Sequence, residues 1–267
     1  MNKSDLKTSL TLTIIITTFA IIAAAGGLLL DNLYRDNNFV KSAWYANDAI
    51  TLFVVVPLLL FAMILTTKGY HRWLLIWIGS IGYMFYNFAF YLFAAVFNKF
   101  FLIYAALFSL SAITLVWMLS RLHIQQLAGY FSINIPVRSI AIYLLFIAAM
   151  LLAVEISMII PFILSGALPE TIKLTEHPTS IVFALDLTII VPASILAAIL
   201  LWRRSTWGYV LAVIMLVKGF CYGLVLCIGT VQLANSKTYG HWDPLMPFYI
   251  FITLGGILCC WLIMKSS

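Results

Sequence analysis

Residues 73–120 decide the fold class, and they read WLLIWIGSIGYMFYNFAFYLFAAVFNKFFLIYAALFSLSAITLVWMLS. Lys99 is the single charged residue of this block. A helix needs about 20 apolar residues to cross a hydrocarbon core of about 30 Å, so the block is too long for one crossing and long enough for two. We therefore predict two membrane-spanning helices joined by a tight hairpin at Asn98-Lys99.

The rest of the chain contains further apolar runs of spanning length. Together they predict eight spans, at about 8–30, 48–67, 73–97, 99–120, 139–165, 180–202, 206–231 and 243–264. The runs lack the alternation of barrel strands, so the predicted fold class is an all-α integral membrane protein with one membrane domain over residues 1–267. The first run is longer than the roughly 7–15 apolar residues of a signal peptide, and we expect it to be retained as a span.

Composition excludes an ordinary soluble domain. The chain is 64% hydrophobic and 9% charged, whereas soluble domains have about 25% charged residues. Its net charge of +6 comes from basic residues concentrated in alternate loops, so we expect no nucleic-acid partner. The chain has no HxxxH, CxxC or Gly-rich nucleotide motif, and we predict no metal and no cofactor.

The distribution of basic residues predicts the orientation. One side of the predicted topology holds nine of them and the other five, including Lys237. Because cytoplasmic loops are enriched in Lys and Arg, both termini are predicted to lie in the cytoplasm.

The chain also shows a weak internal repeat. Val56-Pro57 opens VPLLLFAMILTTK, and Val191-Pro192 opens VPASILAAILLWR, 135 positions later. The match predicts two parallel four-helix halves, 1–133 and 134–267, although chance similarity of apolar segments is the alternative.

Three charged residues interrupt consecutive apolar runs: Glu155, Asp186 and Lys218. A charge at bilayer depth costs about 2.5–3.5 kcal/mol on insertion scales, so such residues usually face a cavity or a partner. Spans six and seven are joined by a short turn, and we therefore expect Asp186 to pair with Lys218. The structural alternative is that these groups only fix helix packing.

Polar residues at helical spacing extend this candidate site. Tyr83 and Asn87 lie on one face of the third span, and Tyr222 lies one turn after Lys218. We predict that these residues, with Glu155, Asp186 and Lys218, bind a substrate or handle a proton. The predicted rim of the same cleft consists of Asp31, Asn47, Asp48 and His177.

Three stretches carry a family resemblance: GYMFYNFAFYLFAAVFNKFFLIYAALFSLSA, ANDAITLFVVVPLLL and HPTSIVFALDLTIIVP. The chain resembles a group of uncharacterised bacterial multi-pass membrane proteins. The resemblance implies a bacterial inner-membrane protein and assigns no catalytic residue.

The residues support three hypotheses of function. The first is a carrier or ligand-binding permease with its polar site in the outer half of the bilayer. The alternatives are a membrane enzyme acting on a lipid or isoprenoid from the outer leaflet, and a sensor or assembly factor without turnover. The expected partners are the lipid bilayer and a small-molecule or lipid ligand, with the oligomeric state left open.

Overall fold

The computed structural model describes residues 2–235 and 243–265. Within them it has eight helices long and apolar enough to cross a membrane, and no strand. Numbered in chain order as spans 1 to 8, they are Lys3–Leu29, Asn38–Thr67, Trp73–Ala94, Phe101–Ser120, Val137–Ser165, Ile181–Trp202, Thr206–Ala234 and Met246–Lys265. The predicted all-α multi-pass fold is confirmed.

Span 2 begins at Asn38, well before the predicted start near residue 48. The side chain of Asn37 accepts a hydrogen bond from the backbone N–H of Val40 at 3.0 Å and caps the helix. This first turn and the next are amphipathic rather than uniformly apolar, so a search for apolar runs misses them. The extra turns carry Trp44, Asn47 and Asp48 into the bundle.

The predicted hairpin between spans 3 and 4 is present. Span 3 ends at Ala94 and span 4 begins at Phe101. At the turn, the Asn98 side chain accepts a hydrogen bond from the Phe100 N–H at 2.9 Å. An asparagine that bonds its own local backbone stabilises a tight connection.

Span 3 is the central helix of the bundle, and it packs closely against span 7. A Cβ added at Gly79 would lie 2.9 Å from Cβ of Val217, and one added at Gly82 would lie 3.0 Å from Cγ2 of Ile214. Small residues let two helix backbones approach, which is the common basis of helix packing in membranes. Polar groups on span 3 are therefore shielded from lipid.

Spans 2 and 6 each contain a π-helical segment immediately before a Val-Pro pair. The segments are Thr51–Val55 and Asp186–Ile190. The Val56 N–H bonds to the Thr51 carbonyl, and the Val191 N–H bonds to the Asp186 carbonyl. Proline cannot donate a backbone hydrogen bond and crowds the preceding turn, so the chain accommodates it by widening that turn.

The turns that follow spans 2 and 6 have the same geometry. Tyr70 N–H bonds to the Leu65 carbonyl at 3.0 Å, and Ser205 N–H bonds to the Leu200 carbonyl at 3.0 Å. Gly69 has φ of 94°, and Arg204, at the matching position, has φ of 54°. Both residues lie in the left-handed region, where glycine is the favoured residue.

Contacts of loops and helix ends mark the two ends of the bundle. On the basic face, Arg121 lies 3.9 Å from Asp5, and Arg72 donates to the Met264 carbonyl at 3.1 Å. On the opposite face, the Asn37 side chain donates to the Leu174 carbonyl at 2.8 Å. The cytoplasmic orientation of the basic face stays a prediction, and Lys237, used in that prediction, lies outside the described residues.

Candidate functional site

Asp186 is the centre of the candidate site. It is the first residue of the second π-helical segment and is 4% exposed. Lys218 Nζ lies 3.9 Å from Asp186 Oδ1, as predicted from the short turn between spans 6 and 7. The Tyr86 hydroxyl of span 3 donates a hydrogen bond to the same oxygen at 2.7 Å. The carboxylate therefore joins spans 3, 6 and 7.

Lys218 is held between two aromatic rings. Its ammonium lies 3.7 Å from the ring centroid of Tyr86 and 4.5 Å from that of Tyr222. The two rings contact each other edge to face, with centroids 5.2 Å apart. The negative face of an aromatic ring attracts a desolvated cation, so both tyrosines stabilise the lysine as charged.

Glu155 approaches the same cluster from span 5. After Ala148 it is the one buried residue that remains in this helix. Its carboxyl group interacts with Asp186 and with Lys218. Its Oε2 atom is buried and has no hydrogen-bond partner among the described residues. Spans 5, 6 and 7 therefore bring two carboxyl groups to one lysine.

A cavity of about 60 Å³ adjoins the cluster between spans 5, 6, 7 and 8. Asp186 and Lys218 are its charged lining residues. Its remaining wall is mostly apolar and includes Leu144, Ile147, Met215 and Ile252. A volume of this size has room for a few water molecules beside charged groups. The cavity thus combines charged side chains with a mostly apolar wall.

A second buried carboxyl group, Asp48, lies between spans 1, 2 and 3. Tyr34 donates to Oδ2 at 2.6 Å, and Tyr91 donates to Oδ1 at 2.8 Å. Burial, followed by the charge of Asp48, raises the pKa of the Tyr34 phenol well above its usual range, so this phenol stays a donor. A Cβ at Gly27 would lie 1.9 Å from Asp48 Oδ2, so only glycine leaves room for the carboxyl group.

Neutral polar groups line the interface between spans 2 and 3. The hydroxyls of Thr51 and Tyr83 lie 3.4 Å apart, and the Asn87 amide donates to Thr51 at 3.3 Å. The amide oxygens of Asn47 and Asn87 are buried without a partner among the described residues. These groups form a sealed polar layer beside the central helix.

The structure brings together one part of the predicted site. Glu155, Asp186, Lys218 and Tyr222 share the cluster beside the cavity, whereas the hydrogen bonds of Tyr83 and Asn87 are made to span 2. Tyr83 also interacts with Tyr222. The residues predicted as a rim are Asp31, Asn47, Asp48 and His177. Of these, Asp31 is exposed, while Asn47 and Asp48 are buried inside the bundle.

His177 contacts the loop after span 1 rather than the cluster. Its Nε2 lies 3.5 Å from Asp36 Oδ1, and Asp36 also accepts a hydrogen bond from the Val96 N–H at 3.2 Å. The contact ties a loop of the second half of the chain to two loops of the first. His177 therefore takes part in the loop contacts at the end of the bundle opposite the basic face, and it does not belong to the charged cluster.

Sequence reasoning missed three tyrosines that complete the two carboxyl sites: Tyr34, Tyr86 and Tyr91. Tyr91 lies one turn after Asn87 on span 3 and Tyr86 three residues after Tyr83, and this spacing favours burial without naming an acceptor. Tyr34 lies in a loop, where the sequence gives no sign that it turns inward to Asp48.

In the part of the chain that the structure describes, the side chains form no metal site and no disulfide. No group of three or more His, Cys, Asp or Glu side chains is placed to hold a metal ion there. All four cysteines are free thiols.

Comparison with known proteins assigns neither a family nor a function to the chain. No family model matches the chain, and no curated protein or solved structure shows significant similarity to it. The resemblance to bacterial multi-pass membrane proteins therefore stays a prediction.

Proposed function

We propose that this polytopic membrane protein is a carrier, with its ligand site at the cavity beside Asp186 and Lys218. The observation that supports this proposal is the burial of an ion pair against a cavity in the spanning region, with a further buried carboxyl group beside the pair. Ionisable residues inside a membrane bundle are costly, and they commonly mark the path of a substrate or an ion.

The cavity wall indicates the class of ligand. A molecule in it would meet the charged groups of Asp186 and Lys218, two tyrosines and otherwise mostly aliphatic side chains. Ligand sites in proteins are mostly apolar with a few polar groups that fix orientation. The ligand we propose is therefore a small amphiphilic molecule with one charged group.

The π-helical segment supplies a place for movement. Asp186 begins the segment Asp186–Ile190, and Pro192 follows it. Widened turns interrupt the regular hydrogen-bond ladder and occur often at functional sites. Bending at this point would move Asp186 relative to Lys218 and change access to the cavity.

The proposed carrier consists of two halves, 1–133 and 134–267, in a bacterial cytoplasmic membrane with both termini inside. The two π-helical segments and the two turns after them lie at positions that differ by 135, which supports the duplication. The lipid-enzyme and sensor hypotheses stay predictions, since no particular contact favours either.

Uptake by purified protein in sealed lipid vesicles tests the proposal. The probes are radiolabelled primary amines and monocarboxylates with short alkyl chains. We expect uptake of one class above that of empty vesicles, and its loss in Asp186→Asn and in Lys218→Met. Ser157→Ala is the matched control, because Ser157 is exposed on span 5 near Glu155 and bonds only locally.

Two results would contradict a carrier. One is equal uptake by wild type and by both charge variants. The other is uptake no higher than that of empty vesicles for every probe in both classes.

A further inference from the structure

The charges of the buried cluster do not balance. Glu155 and Asp186 are both acidic, and Lys218 is the one basic side chain that contacts them among the described residues. With all three ionised, the cluster would carry one uncompensated negative charge in a low-dielectric region. Burying such a charge is unfavourable, and buried groups usually avoid it by taking up a proton.

The hydrogen bonds show where a proton fits. Asp186 Oδ1 already receives the Tyr86 hydroxyl and faces the Lys218 ammonium. Glu155 Oε2, in contrast, has no donor or acceptor, although its carboxyl group is within interaction range of Asp186. A protonated Glu155 would present a donor to Asp186, and the cluster would then hold one negative and one positive charge. Two adjacent carboxyl groups sharing one proton is the usual solution when like charges are forced together.

The other ionisable groups around the cluster do not supply a competing cation. Span 3 contributes Tyr86, and span 7 contributes Tyr222 next to Lys218. Span 5 adds Tyr143 at the far wall of the cavity. From span 8, Tyr249 interacts with Tyr222 and donates to Asp243 at 2.9 Å.

The cavity meets the cluster at Asp186 and Lys218. Asp186 and Lys218 line it, whereas Glu155 is absent from its wall. Water in the cavity would therefore reach Asp186 first, and a proton arriving there would pass to the buried Glu155.

We propose that Glu155 and Asp186 hold one exchangeable proton between them, and that this proton is the coupling ion of the carrier. The proton site itself is a property of the cluster. Its role as a coupling ion rests on the proposed carrier function.

Infrared spectroscopy of the purified protein in lipid tests the proton site without any transported substrate. The pH is raised in steps, and the carbonyl stretching band of protonated carboxyl groups is recorded. We expect a band that disappears at high pH, is lost in Glu155→Gln and survives in Asp48→Asn. Asp48 is the matched control because it is the other carboxyl group buried within a described span with tyrosine donors.

A second variant should shift the band rather than remove it. Replacing Lys218 by Met removes the positive charge that favours the ionised pair, so the band should persist to higher pH than in wild type. A pH-dependent band of full intensity in both Glu155→Gln and Asp186→Asn would overturn the proton site.

Vesicle uptake then separates this inference from the proposed function. With the band present, uptake of the probes should respond to an imposed pH gradient in wild type and lose that response in Glu155→Gln. A band without any uptake contradicts the carrier and leaves the proton site standing. Uptake that ignores the gradient overturns the role as coupling ion.

Discussion

Two places in the molecule, 135 positions apart in the sequence, carry different chemistry. Thr51 begins the π-helical segment of span 2 and lies 3.4 Å from the Tyr83 hydroxyl on span 3. Asp186 begins the segment of span 6 and lies 3.9 Å from Lys218 on span 7. Both pairs join residues whose positions differ by 135 from one half of the chain to the other. The same backbone arrangement is compatible with a neutral contact and with an ion pair.

The comparison separates the scaffold from the charge. The neutral pair of Thr51 and Tyr83 also lies at a π-helical segment that precedes a Val-Pro pair. The π-helical segment therefore does not need an ion pair in order to form. The surroundings differ as well, because Thr51 and Tyr83 are sealed while Asp186 and Lys218 border a cavity. A charge that helix packing does not require, placed at a cavity, favours a role in binding.

The largest expected effect comes from breaking the ion pair. Lys218→Met leaves Asp186 and Glu155 buried without a cation, and removing one partner of a buried pair costs about 3–5 kcal/mol. We expect a loss of that size in the free energy of unfolding, measured in mild detergent with a denaturant series. Lys218→Met combined with Asp186→Asn should recover part of it. A loss below about 1 kcal/mol would show that the lysine is effectively solvated.

We expect a smaller change in the free energy of unfolding, and of opposite sign, when three residues of the second half are replaced by those at the matching positions of the first. The matching positions of Glu155, Asp186 and Lys218 are Ala20, Thr51 and Tyr83. We expect Glu155→Ala, Asp186→Thr and Lys218→Tyr together to fold, because replacing a buried ionic group by neutral residues is often neutral or stabilising by about 1–4 kcal/mol.

The same triple variant should lose uptake of every probe. Thermal unfolding and vesicle uptake, measured on one preparation, give the two readouts. Retained uptake would assign the charges to structure, and failure to fold would show that the halves are not interchangeable at this site.

The smallest effect is expected in the neutral pair. Tyr83→Phe removes a hydroxyl that makes one long hydrogen bond to Thr51, and a typical hydrogen bond contributes about 0.5–1.5 kcal/mol. We expect a decrease in unfolding free energy within that range and unchanged uptake. Uptake reduced as strongly as in Lys218→Met would show that the two regions act together.

The sequence predicts those contacts of the site that join segments close together in the chain. The contact between Asp186 and Lys218 follows from a short turn that makes spans 6 and 7 neighbours. The burial of Asp48 did not follow, because the amphipathic start of span 2 hid the turns that carry it inward. Its donors, Tyr34 and Tyr91, come from a loop and from another span, and no spacing rule links them.

The sequence by itself determined the eight crossings, because the length and apolarity of each run are local properties that the bilayer selects. It also placed three charges where hydrocarbon disfavours them. The tertiary structure decided how each helix is rotated, and so which charges meet, which face a cavity and which are sealed. That choice depends on packing between helices distant in the chain, such as the close contact of Gly79 with Val217.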